Sequence, residues 1–163
     1  MRRAGRAAIL FFATGGYLSY IPSTLTGPDR KWTGAGLIGS LEGLALLPLL
    51  PKGGMPLWAA LAVATALACW LCGEAEKILG RHDDPRIVLD EVVGMWFSAA
   101  LLPRRLLPLL AALALFRLLD SVKLPPYGWL ERLPGGAGVV FDDVGAGLFA
   151  NLGVRLLLRG ALL

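Results

Sequence analysis

The sequence predicts an all-α fold, a small polytopic membrane bundle with about four spanning helices plus a re-entrant or interfacial N-terminal segment. Three observations carry this expectation. Of 163 residues, 56% are hydrophobic and 17% charged, with a mean hydropathy of +0.64, whereas a soluble domain has about 45–50% apolar and about 25% charged residues. The apolar residues gather into runs near the roughly 20 that a membrane-spanning helix needs. No segment alternates apolar and polar residues with the period of two that a half-buried strand requires. The length suits a single domain, 1–163, and two cysteines are too few for a disulfide framework.

Six segments follow in order. The first, Ala7–Thr26, is apolar but interrupted by Gly15-Gly16 and Pro22. Its start, Arg2-Arg3-Ala4-Gly5-Arg6, resembles a secretory leader, yet no Ala-x-Ala site follows, so a retained segment is expected. The second, Thr33–Leu50, ends at Pro51-Lys52-Gly53-Gly54 and carries a lone acid, Glu42, which is either a supporting partner of a site or a hydrogen bonder within the bundle. Pro56–Leu79 is the cleanest span and closes on Glu74, Glu76 and Lys77. Its Cys69-Trp70-Leu71-Cys72 lies inside an apolar helix and predicts packed thiols rather than a redox pair. The fourth, Ile87–Leu102, and fifth, Leu106–Leu119, are separated by Pro103-Arg104-Arg105, and both are marginal in length for a full crossing. A Pro- and Gly-rich connection, Lys123–Gly138, leads to the sixth, Val139–Leu158.

The formal charge of +4 does not indicate a nucleic-acid partner. The basic residues flank the apolar runs, as at Arg30, Lys31, Arg104, Arg105 and Arg159, where cations meet lipid headgroups. No basic stripe is interleaved with aromatics. If the first segment dips and returns, eleven of the sixteen basic residues fall on one side of the membrane and five on the other. The positive-inside rule then makes the richer side cytoplasmic.

Acids are the informative minority. Seven of twelve lie in three patches: Asp83-Asp84 with Asp90-Glu91, then Asp120, then Asp142-Asp143. A carboxylate next to lipid costs several kcal/mol unless it is paired or bound to a cation. If segments three to six cross in turn, all three patches fall on one face, the one that the basic count makes cytoplasmic. Helical spacing refines this. Arg117 and Asp120 are i,i+3 and share a face. Glu91 stands three residues before Gly94, and Asp143 four before Gly147, so small residues beside each acid permit close approach. Hard oxygen ligands near Arg117 and Lys123 suit Mg²⁺ and a phosphate together. Asp84 is a candidate ligand too, although Asp83-Asp84-Pro85 would also cap a helix. Asp90 and Glu91 could alternatively form a buried ion pair with Arg86 or Arg117. His82 is expected to be a loop residue.

Residue counts restrict the chemistry further. A Cys-x5-Arg nucleophile fails because Ala75 and Ile78 stand where arginine is needed, and His82 is the only histidine. If the site acts on a phosphate, metal-assisted hydrolysis is the chemistry left, with Asp90, Glu91, Asp142 and Asp143 as candidate ligands and Asp120 as the candidate to position or deprotonate water. The pattern fits attack by water or by a carboxylate. An ion-coupled transporter using these acids to carry H⁺ or a divalent cation is the alternative reading, and a structural subunit that merely pairs its charges is another.

Two blocks of this sequence resemble the phosphatidylglycerophosphatase A family. One runs from His82-Asp83-Asp84-Pro85 through Asp90-Glu91 to Gly94-Met95-Trp96. The other runs from Phe116-Arg117-Leu118-Leu119-Asp120-Ser121-Val122-Lys123 to Gly135-Gly136-Ala137-Gly138 and Asp142-Asp143-Val144-Gly145-Ala146-Gly147. The chain departs from the family pattern at Leu124 and Glu131, and in the residues before Gly39-Ser40. The resemblance implies a Mg²⁺-dependent phosphomonoesterase acting on phosphatidylglycerophosphate in a bacterial cytoplasmic membrane, with its active site facing the cytoplasm. It implies phosphatidylglycerol and inorganic phosphate as products.

Overall fold

The computed structural model describes residues 3–26, 34–122, 129–130 and 133–160. Its described residues contain helices, turns and loops but no strand, as the absence of period-two patterning predicts. The helices are α1 (Arg3–Ala13), α2 (Tyr20–Thr26), α3 (Ala35–Leu46, continued by a 3-10 turn at Leu47–Leu49), α4 (Gly54–Leu79), α5 (Leu89–Ala99), α6 (Leu106–Val122) and α7 (Gly136–Arg159).

The first apolar segment is divided at its glycines. Gly15, Gly16 and Tyr17 all have positive φ, which glycine adopts freely and stops α1 from continuing into α2. Across this turn the Tyr17 hydroxyl donates to the Ala7 carbonyl at 3.1 Å. Two bonds then fasten this turn to the loop before α5. Val88 N–H donates to Ala13 O at 2.9 Å, and the Ser19 hydroxyl donates to Arg86 O at 2.6 Å.

Two helices are long and apolar enough to cross a membrane, α4 with 26 residues and α7 with 24. At a rise of about 1.5 Å per residue they reach roughly 39 and 36 Å, against a hydrocarbon core of about 30 Å. Their roles differ. Only 22% of α4's apolar window is buried, against 67% for α7, so α4 lies on the outside and α7 runs through the centre. The buried residues of α4 (Leu57, Leu61, Thr65, Ala68, Cys72, Ala75) recur every three or four positions and form one stripe. The thiols at Cys69 and Cys72 are free, with Cys72 fully packed.

The fourth segment is shorter than its apolar run. α5 has 11 residues, about 16 Å of helix, and stops before Ala100 although Leu101-Leu102 remain apolar. Its end is held by α7. The Asn151 amide donates to Ser98 O and Ala100 O, both at 2.8 Å. Arg155 donates to Ala100 O at 3.1 Å and to Asn151 Oδ1 at 2.7 Å. Carbonyls that a helix end leaves orphaned are thereby satisfied inside the bundle. Asn151→Leu is expected to lower stability by about 1–3 kcal/mol, the cost of leaving buried carbonyls unpaired. Thermal unfolding in detergent measures it, and activity per folded molecule should survive.

Close crossings set the rest of the packing. Gly39 and Gly43 bring α3 onto α5, since a Cβ at either would lie 2.6 Å from Val88 O or 2.9 Å from Val92 O. The Trp96 indole donates to Gly43 O at 2.9 Å and locks this pair. Two apolar clusters surround α5 and α7, one around Met95, Phe116, Ala146 and Ala150, the other around Ala68, Cys72, Val93 and Val140.

Candidate active site

Three helix ends converge at one end of the bundle. The first turn of α5 carries Asp90 and Glu91, the last turns of α6 carry Arg117 and Asp120, and the second turn of α7 carries Asp142 and Asp143. Gly94 and Gly147 make this convergence possible. A Cβ at Gly94 would sit 2.7 Å from the Phe116 ring and 2.9 Å from Asp143 O, and one at Gly147 would collide with Gly94 O. The small residues spaced from each acid in the sequence are therefore the contact between α5 and α7.

The carboxylates form two overlapping triads. One oxygen from each of Asp90, Glu91 and Asp143 lies within 4.8 Å of the others, and the same holds for Asp120, Asp142 and Asp143. Asp143 belongs to both. Asp90, Asp142 and Asp143 are buried, at 5%, 3% and 5% exposure. Asp90 Oδ1 and Glu91 Oε2 are buried without a hydrogen-bond partner among the described residues. Buried polar atoms are nearly always satisfied, and crowded carboxylates repel one another, so such oxygens call for a cation. The donor set is all oxygen, which suits a hard divalent ion better than a thiolate- or imidazole-seeking metal.

Arg117 is the cation within this cluster. Its guanidinium lies 3.1 Å from Asp120 Oδ2, as the i,i+3 spacing predicts. The group remains a quarter exposed and can meet an anion while anchored.

The other candidate residues fall elsewhere. Asp84 lies outside both triads and is held by Arg86, whose Nε donates to Oδ1 at 2.8 Å and whose Nη2 donates to Oδ2 at 2.7 Å. The Arg86 backbone N–H donates to Oδ1 at 3.0 Å. Arg86 thus pairs with Asp84 rather than with Asp90 or Glu91, and its guanidinium stacks on the Tyr20 ring. Asp84 caps no helix, since Val88 occupies that position for α5. Burial raises the Asp84 carboxyl, but the hydrogen bonds and charge of Arg86 outweigh it and hold the group below its ordinary value. With its folded-state value depressed, Asp84 contributes stability that is present above its unfolded-state pKa and lost as pH falls through the lower folded-state one. Asp84→Asn should therefore unfold at lower temperature than wild type at neutral pH, with the gap closing in acid. Lys123 lies outside the described residues.

His82 is a loop residue whose Nδ1 lies 2.7 Å from Glu76 Oε1. The same oxygen accepts the Asp83 backbone N–H at 2.8 Å. Glu42 presses its carboxylate against Gly15, and its Oε1 has no hydrogen-bond partner among the described residues. Sequence reasoning missed Gly36, which lies directly beneath Glu91 and Arg117. A glycine near a helix start gives no signal of what crosses it.

The sequence profile of the phosphatidylglycerophosphatase A family matches residues 11–158. The chain is 38% identical over 129 residues to a putative phosphatidylinositol-3-phosphatase of Bacteroides thetaiotaomicron, covering 76% of this chain and 80% of that protein. It is 37% identical over 120 residues to a phosphatidylglycerophosphatase A of Haemophilus influenzae, covering 72% of each. The phosphatidylglycerophosphatase A of Escherichia coli K12 is 34% identical over 120 residues, covering 71% of this chain and 69% of that protein. No solved structure matches the chain significantly.

Proposed function

The chain belongs to the phosphatidylglycerophosphatase A family, and on that premise we propose that it hydrolyses the phosphomonoester of phosphatidylglycerophosphate. The products are phosphatidylglycerol and inorganic phosphate, a step of glycerophospholipid synthesis. The observation that carries the reading is the pair of carboxylate triads sharing Asp143, with unsatisfied oxygens on Asp90 and Glu91. Asp90, Glu91, Asp142 and Asp143 would hold Mg²⁺, with Asp84 the outlying candidate ligand. The ion supplies Lewis-acid polarisation of the phosphoryl oxygens.

The chain's own residues supply the remainder. Arg117, held by Asp120, neutralises charge on the phosphoryl group as it transfers, a role in which we propose that Lys123 assists. Asp120 orients a water for in-line attack and takes its proton. The water oxygen joins phosphorus, the ester P–O bond breaks, and the glycerol oxygen takes a proton from solvent as Asp120 returns its own to solvent. Hydrolysis is thereby balanced without any other co-reactant.

A lipid substrate and the apolar length of α4 and α7 support a multi-pass location in a cytoplasmic membrane. In that setting α6 joins α4 and α7 in a bundle of about four membrane segments, α5, at about 16 Å, is sunk part-way through the core, α1 and α2 form a re-entrant or interfacial hairpin, and the acidic end faces the cytoplasm. The relatives' names lend no support to an ion-coupled transporter. The test is phosphate release by purified protein in detergent. Phosphatidylglycerophosphate should yield phosphate and phosphatidylglycerol in equal amounts. An inactive preparation that instead moves Mn²⁺ across vesicles would point to the transporter.

A further inference from the structure

α3 belongs to neither carboxylate triad, yet its first turn touches both arms of the site. A Cβ placed on Gly36 would collide with Glu91 Oε1, and would lie 2.8 Å from Arg117 Nη2 and 3.0 Å from Nη1. The Glu91 carboxylate and the Arg117 guanidinium therefore rest over the bare backbone of one residue. Glu91 belongs to the Asp90–Glu91–Asp143 triad and Arg117 is tied to Asp120 of the other. Glu91 Oε2 is buried without a hydrogen-bond partner among the described residues. Gly36 differs in this from Gly43, whose closest neighbours are Val92 and Met95 atoms of α5, and from Gly39, which meets Val88 and only the Cβ of Glu91. Those two set how near α3 comes to α5. Gly36 sets where two functional side chains stand.

We propose that Gly36 is a positioning residue, a side-chain-free floor that fixes the metal-binding arm at Glu91 and the phosphate-binding arm at Arg117 relative to each other. The proposal rests on the metal-phosphatase reading of the same site. The atoms met are the far ends of two side chains, so the Glu91 carboxylate and the Arg117 guanidinium, the latter tied to Asp120, give way before the backbone does. A methyl group at position 36 must move one or both.

The test uses Mn²⁺ as a probe, with binding followed by electron paramagnetic resonance on the full chain in detergent and inhibition by inorganic phosphate measured beside it. Gly36→Ala should weaken Mn²⁺ binding by about 10–100-fold, the range typical of changes just outside a metal's ligands, and should weaken phosphate inhibition. Gly43→Ala should lower the unfolding temperature while keeping Mn²⁺ affinity and phosphate inhibition near wild type. Glu91→Asp withdraws the acid from the space, so Gly36→Ala should cost less in that background, a coupling that contacting residues show. If Gly36→Ala alone fails to fold, the double variant should fold and bind Mn²⁺. The proposal is overturned if Gly36→Ala keeps wild-type affinity and inhibition, if the two changes add independently, or if the double variant also fails to fold. Wild-type protein that binds no Mn²⁺ would instead sink the metal reading, and this proposal with it.

Discussion

Asp143→Asn is expected to abolish phosphate release, by at least about 10³-fold in kcat, the scale of losing a principal electrostatic group. No other residue belongs to both triads among the described residues, so this one change removes a ligand from each. The fold should not suffer with it. Several buried carboxylates within 4.8 Å of one another repel when no cation separates them, and a neutral amide relieves part of that repulsion. In EDTA the variant should unfold at the same temperature as wild type or higher. Activity lost while stability holds is the signature of a site that stores repulsion for its ligand. A variant that loses both together would mark Asp143 as a structural group.

Gly94→Val carries the second largest effect. The branched side chain would meet the Phe116 ring and the Asp143 carbonyl at distances under 3 Å, and α5 and α7 must separate to admit it. Overpacking of this kind costs about 1–3 kcal/mol. A displacement near 1 Å between reacting groups costs about 10²-fold in rate. Thermal unfolding and phosphate release on the same preparation should show both losses. Gly153→Val is the control farther along α7, where the contact is the flexible end of Leu115 at 3.0 Å. Activity there should fall little.

Much of this was legible in the chain. α4 and α7 coincide with the third and sixth apolar runs, extending them by at most three residues at either end. Crossing back and forth through the predicted segments brings the three acidic patches to one end, where the structure gathers Asp90, Glu91, Asp120, Asp142 and Asp143. Arg117 and Asp120 pair as helical spacing demands. Other features were not legible, for physical reasons. The apolar run through Leu102 contains no breaker before Pro103, and α5 ends at Ala99 because Asn151 and Arg155 claim its carbonyls from about 50 residues away. Asp84 reads as ligand or cap, and its fate is decided by a fork-shaped contact with Arg86 two residues on. Glycine 36 has no side chain to betray its neighbours. What periodicity and topology control was visible, and what depends on which side chain crosses which backbone was not.

On the proposed function, the carboxylate cluster holds a divalent cation against a lipid phosphomonoester. The most direct test of this is phosphate release from phosphatidylglycerophosphate by the purified chain, first in excess EDTA and then after Mg²⁺ is returned. No turnover is expected in EDTA, with restoration by Mg²⁺ in the wild type and none in Asp143→Asn. Wild-type turnover that persists in EDTA would contradict it.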